Sequence, residues 1–141
     1  MSQKVDPRIV MWPVAELQPY EKNSRTHSVE QIEQVARSIG EFGFTNPVLI
    51  DRDGVVIAGH ARLLAAQSLG LAEVPTIALE HLTPTQIRAY VIADNAIALN
   101  AGWDEELLAQ ELAAMREAGY DTTLTGIDLG EIDRLLAELD S

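Results

Sequence analysis

Four groups of residues in this chain have types and spacings suited to chemistry on an anion. The densest is Gly59-His60-Ala61-Arg62, which follows the apolar run Val55–Ala58 and opens a segment with helical periodicity. A strand that stops at a glycine and passes at once into a helix leaves the first helical N–H groups without intrahelical acceptors. The helix dipole adds partial positive charge there, so the backbone alone stabilises an anion. Gly59 lets a ligand approach the main chain closely. Arg62 supplies a planar, permanently charged donor, and His60 a ring that titrates near neutral pH. His60 is also the best general base in the chain, with His27 and Glu30 behind it. The turn matches neither the dinucleotide fingerprint nor the Walker lysine loop. On the residues alone, Arg62 has a second reading as a salt bridge near a helix start.

The other three groups are the polar loop bearing Asn23, Arg25 and His27, the turn Gly43-Phe44-Thr45-Asn46-Pro47, and the pair Asp94-Asn95. Asp and Asn are poor helix formers inside a helical pattern. Ligand or metal contact is therefore weighed there against local back-bonding.

These groups must be positioned by a small sheet and its helices. Ile9–Val14 reads as an edge strand broken by Pro13. Ser28, with Gln31 three residues on, fits a capping box, and Val29, Ile32, Val35, Ala36, Ile39 and Phe42 recur at helical spacing until Gly43. Pro47–Asp51 and Val55–Ala58 read as two strands joined across Asp53-Gly54, a hairpin signal. A helix from about His60 to Gly70 precedes a strand at Val74–Leu79. Thr83, Pro84 and Gln86 announce a further helix carrying Ile87, Tyr90, Val91 and Ile97. After Trp103, expected to anchor by packing, come a helix with Leu107, Leu108, Leu112 and Met115 apolar and a last acidic helix, Asp128–Leu139. Strands and helices segregated in this way predict an α+β fold with its sheet in the first 80 residues.

Composition narrows the function. The net charge of −12 is uneven. Residues 1 to 62 hold seven basic and eight acidic side chains, and the remainder holds three and fourteen. Phosphate neutralisation on a duplex needs clustered Lys and Arg, so weak or no direct DNA binding is expected of this chain. The absence of cysteine excludes disulfides, thiolate catalysis and cysteine-ligated metal from these residues. Without a signal-like or membrane-spanning run, no membrane association and a cytoplasmic location are expected.

Three of the segments together resemble the N-terminal domain of the ParB and sulfiredoxin superfamily, from about Leu17 through Asn100. "SIGEFGFTNPVLID" resembles the segment before the first ParB box strand, "VIAGHARLLAAQSLGLAEVP" the phosphate-binding box, and "YVIADNAIALN" the third box. The resemblance implies a ParB/sulfiredoxin-like α+β domain over residues 1–100, with a small mixed sheet and flanking helices, and an acidic helical extension over 101–141. It also implies a clamp for CTP with Mg²⁺. Gly59 and Arg62 match the Gly-Glu-Arg-Arg box of that family, with His60 in place of its glutamate and Ala61 in place of its first arginine. Asp94 and Asn95 match its metal-site Glu-Asn pair, and Asp for Glu is a mild change for hard Mg²⁺. Losing an arginine removes one phosphate contact.

The expected nucleotide site is therefore Arg25, Gly43, Phe44, Asn46, Gly59, His60, Ala61 and Arg62, with Asp94 and Asn95 at the metal and His60 as the catalytic candidate. Sulfiredoxin chemistry is excluded for want of its cysteine. A closer resemblance is to the ParB-like domain fused ahead of phage and bacterial DNA methyltransferases, where a Gly-His-Gly-Arg type turn, "IADN", "AGWDEELLAQEL" and an acidic "LTG" tail recur. No methyltransferase activity is expected, because the Asp/Asn-Pro-Pro-Tyr motif is missing. The implied role is a regulatory or targeting module that binds CTP or ATP in DNA modification or partition. The implied partners are a nucleotide and a DNA methyltransferase or other DNA-acting protein, with a homodimer left open. A phosphotransferase, nuclease or nucleotide hydrolase using His60, and an interaction module without nucleotide, are the alternatives.

Overall fold

The computed structural model describes residues 8–21, 26–100 and 102–141. The chain forms two compact units, Met1–Leu99 and Asn100–Ser141. The first contains a four-stranded mixed sheet of β1 (Val10–Pro13), β2 (Val48–Ile50), β3 (Val56–Ala58) and β4 (Glu73–Ala78), in the order β1-β4-β2-β3. β1 pairs antiparallel with β4, β4 runs parallel to β2, and β2 and β3 form the expected antiparallel hairpin. β1 lies at an edge, where Pro13 removes no needed ladder bond.

Alternation along the strands gives the sheet two buried faces. Val48, Ile50, Val56 and Val74 pack with Leu63 and Ala66 of α2 (His60–Ser68). Ile57, with Leu49 and Ile77, packs on the opposite face with Val91, Ile87 and Tyr90 of α3 (Pro84–Asn100). Thr76, buried among the first set, donates from its hydroxyl to the Val10 carbonyl at 2.7 Å, which satisfies the one polar group on that strand's inner face.

The helix caps follow the sequence with one amendment. Thr83 and Gln86 form the full reciprocal box at the start of α3. Ser28 accepts from the Gln31 N–H at the start of α1 (Val29–Phe42), but the Gln31 side-chain oxygen pairs with His27 Nδ1 at 3.0 Å instead of completing the box. α1 rests on α2 with no residue fully buried, and the two ends of its predicted stripe, Val29 and Phe42, are exposed. Ile97, predicted with the apolar positions of α3, is 70% exposed, because beyond Val91 this helix runs past the sheet face that covers its first half.

The second unit pairs α4 (Glu105–Glu117) with α5 (Leu129–Leu139) through a 3-10 turn at Thr122–Thr125. Ala109, Leu112, Ile132 and Leu135 form its core. Asp104 and Asp128 cap the two helices by accepting from backbone N–H groups two or three residues on. Leu107 points away from this core and is 58% exposed, one turn-position off the buried 108-109-112-115 stripe. Trp103 is 70% exposed and so does not anchor α4 as expected, since it precedes the Asp104 cap and joins no core cluster.

Gly54 controls how the hairpin delivers β3 to the glycine turn. Its φ is +85°, and a Cβ there would lie 2.6 Å from the Trp12 ring. Gly54→Ala should therefore lower stability by roughly 1–3 kcal/mol through both strain and overpacking, read as a drop in the urea midpoint at unchanged slope.

Candidate functional site

β3 ends at Ala58, and the chain turns into α2 through Gly59 at φ +101° and ψ 26°, a left-handed conformation that glycine adopts without steric cost. The Gly59 carbonyl accepts from the Leu63 N–H at 2.9 Å and closes the first helical turn. The N–H groups of His60, Ala61 and Arg62 precede that bond and have no acceptor within the helix.

The Arg62 side chain also lies close against this turn. A Cβ at position 59 would stand 2.9 Å from Arg62 Nη2 and 3.2 Å from its Cζ. The guanidinium is thus folded back against the turn. Its Nη2 donates to the Pro47 carbonyl at 3.0 Å, which ties α2 to the chain entering β2. Its Nε is buried with no hydrogen-bond partner among the described residues. Burial lowers the Arg62 pKa, and Asp94 and Tyr90 act in the opposite direction. At any working pH the side chain remains a cation. Tyr90 in turn is pushed up, first by burial and then by Asp94. Arg62, Tyr90 and Asp94 therefore form one electrostatic group across α2 and α3. The sequence reading missed Tyr90, although its position one helical turn before Asp94 was a usable signal.

His60 is half-buried, and its Nε2 accepts from the Tyr20 N–H at 3.2 Å. Its pKa is lowered, first by burial and then by His27, against a hydrogen bond to the Val56 backbone that raises it. Asn95 donates from its side-chain amide to the Val91 carbonyl at 2.9 Å, which is the back-bonding reading of that residue. Asp94 is exposed.

Two cavities adjoin at Arg62. One, of about 180 Å³, is polar and is walled by Gly59, His60, Ala61, Arg62, Asp94 and Asn95 together with His27 and Gln31. The other, of about 210 Å³, is more apolar and is walled by Val35, Ile39, Gly43, Phe44, Asn46 and again Arg62. The structure thus divides the sequence-predicted residues into two groups with one shared member. Arg25 and Asn23 lie outside the described residues. Among the described residues no cluster of three His, Cys, Asp or Glu side chains could hold a metal unaided. A larger groove, of about 340 Å³, lies in the second unit and is edged by Glu105, Glu106 and Glu138, which do not suit an anion. No described helix is long and apolar enough to cross a membrane.

Comparison with known proteins gives two family matches: the ParB N-terminal domain over residues 2–96 and the ParB-methyltransferase HTH domain over residues 106–141. The ParB-like nuclease domain-containing protein YnaK of Escherichia coli K12 is 52% identical over 86 residues, covering 61% of this chain and 97% of that protein. A "Probable chromosome 2-partitioning protein ParB" of Deinococcus radiodurans is 35% identical over 74 residues, covering 50% of this chain and 25% of its own length. Among solved structures, the C-terminally truncated chromosome-partitioning protein ParB of Caulobacter crescentus complexed with CTP-γ-S has a TM-score of 0.67 at 22% identity, covering 92% of this chain and 85% of that one. Sulfiredoxin from Arabidopsis thaliana has a TM-score of 0.50 at 24% identity, covering 60% of this chain and 98% of that one. These two likenesses show the fold.

The depressed His60 pKa carries a sign. The folded ring titrates below its ordinary 6.5, so the unfolded chain binds the extra proton first as the pH falls. The stability tied to the neutral ring is complete above about pH 6.5 and is lost as the pH drops from there through the folded value. Urea unfolding at about pH 7.5 and pH 5.5 should show this loss, and His60→Gln should reduce it.

Proposed function

The chain belongs to the ParB N-terminal domain family, and from that membership we propose that its first unit binds a nucleotide, CTP or ATP with Mg²⁺. On this reading the protein acts as a regulatory or targeting module in DNA modification or partition. The observation that carries the reading is the buried, unpartnered Nε of Arg62 beside the Gly59 turn. An orphaned buried N–H on a cation costs on the order of 1–3 kcal/mol or more, and an anion at the free end of α2 would offset it. Cavity size supports a ligand that spans both sides of Arg62. Neither cavity alone reaches the roughly 300 Å³ of an ordinary small-molecule site, whereas the polar one suits phosphates and the apolar one a base.

In this proposal the N–H groups of His60, Ala61 and Arg62 face phosphate, and Gly43, Phe44 and Asn46 line the base. Asp94, with the Asn95 side-chain oxygen, would hold Mg²⁺. One carboxylate is a fit donor set for Mg²⁺ only when phosphate oxygens and water complete the shell, as this ion prefers. The metal would neutralise phosphate charge in a site that has one arginine. The CTP-γ-S complex of the Caulobacter ParB fold supports CTP as the first nucleotide to test.

The second unit, matched to an HTH family, is proposed to work through a protein partner, such as a DNA methyltransferase, and not by reading DNA. Between residues 106 and 141 there are nine acidic side chains and two basic ones. Both arginines are already paired: Arg116 with Asp133 at 3.1 Å, and Arg134 with Glu105, Glu131 and Glu138. The chain should show no binding to duplex DNA by fluorescence anisotropy at about 150 mM salt, where phosphate contacts are the main source of non-specific affinity.

Calorimetric titration with CTP, ATP and GTP, each with and without Mg²⁺, tests the nucleotide reading. The expected result is micromolar binding of one nucleotide, weakened by about tenfold or more in Arg62→Ala. A Tm that no nucleotide raises would overturn it and leave the interaction module, because any ligand of the native state must stabilise that state. Chromatography of the same samples for diphosphate reads the hydrolase alternative.

A further inference from the structure

The segment before the site runs along the open edge of β3. Gln18 forms an isolated parallel bridge with Val55: its N–H donates to the Gly54 carbonyl at 3.0 Å, and its carbonyl accepts from the Val56 N–H at 2.7 Å. Pro19 has no N–H, so the next donor along this segment is Tyr20. In a parallel ladder the next rung would take the Tyr20 N–H to the Val56 carbonyl. The Tyr20 N–H goes instead to His60 Nε2, and the Val56 backbone next to the same imidazole acts to raise its pKa. The ring thus stands where a main-chain rung would be.

We propose that His60 is a positioning residue whose neutral Nδ1–H imidazole bridges the Tyr20 N–H and the Val56 carbonyl, fastening Gln18–Tyr20 to the first turn of α2. An N–H directed at Nε2 requires a lone pair there, so a neutral ring carries its proton on Nδ1, where a carbonyl can accept it. Both ring nitrogens are then committed to main-chain groups, and neither can take a proton from a substrate or bind a metal. The chemistry explains the residue type. The position needs one donor and one acceptor on a rigid frame, and a protonated ring, with two donors, would set Nε2–H against the Tyr20 N–H. Burial and the nearby His27 both disfavour that charged form.

This assignment goes beyond the nucleotide reading and is tested on the ligand-free chain, so failure of one leaves the other standing. Long-range ¹H–¹⁵N correlation spectra of the labelled protein at about pH 7.5 should show His60 protonated at Nδ1 and bare at Nε2. The Tyr20 amide should be protected from hydrogen exchange, retain protection in His60→Gln, which keeps one donor and one acceptor without titrating, and exchange about tenfold faster or more in His60→Ala. An Nε2–H or doubly protonated ring, or a Tyr20 exchange rate unchanged in His60→Ala, would overturn it. Should His60→Ala fail to fold, the wild-type tautomer decides.

Discussion

The close approach of the Arg62 guanidinium to the backbone of Gly59 is the contact on which the rest of the site depends. The left-handed turn favours glycine at position 59 by conformation, and the guanidinium lies close against it. With that turn in place, β3 can pass into α2 without a connecting loop, and the unpaired N–H groups of the helix stand at the sheet's edge. Because Arg62 also donates to the Pro47 carbonyl, the same side chain fixes the Gly43–Pro47 turn relative to the helix. Two cavities that would otherwise be separate share a wall, and that wall is a half-buried cation whose buried Nε has no partner among the described residues.

The sheet makes this arrangement rigid. Its two apolar faces are covered by α2 on one side and the first half of α3 on the other, so the Gly59 turn is held between two packed layers. Asp94 reaches the site because α3 continues past the last residue it buries, Val91. The same overrun leaves Ile97 in solvent. Helical periodicity marks which residues share a face, but not where the partner surface ends.

Charge divides the chain as clearly as its two units do. The first unit carries eight of the chain's ten basic residues, while the second pairs both of its arginines internally and leaves an acidic surface. Surface ion pairs of this kind add little stability each. Their consequence here is that both arginines of the helix pair are already engaged with carboxylates.

The order of strands and helices, the hairpin at Asp53-Gly54, the caps at Ser28 and Thr83, and the glycine turn were all legible in the sequence, because each is fixed by residues a few positions apart. Gly59, Ala61, Arg62 and Asp94 were legible as a group for the same reason: turn chemistry and charge are local signals. Only the tertiary structure decided what each side chain meets. Arg62 meets a main-chain carbonyl from β2's entry, His60 an amide forty residues away, and Asn95 its own helix. Trp103 and Leu107, apolar in the sequence, face solvent because burial depends on which surface another element covers. Local preference sets an element's identity through its own backbone and neighbours. Hydrogen-bond partners and burial are set by contacts between segments distant in the chain, and no pattern within one segment records them.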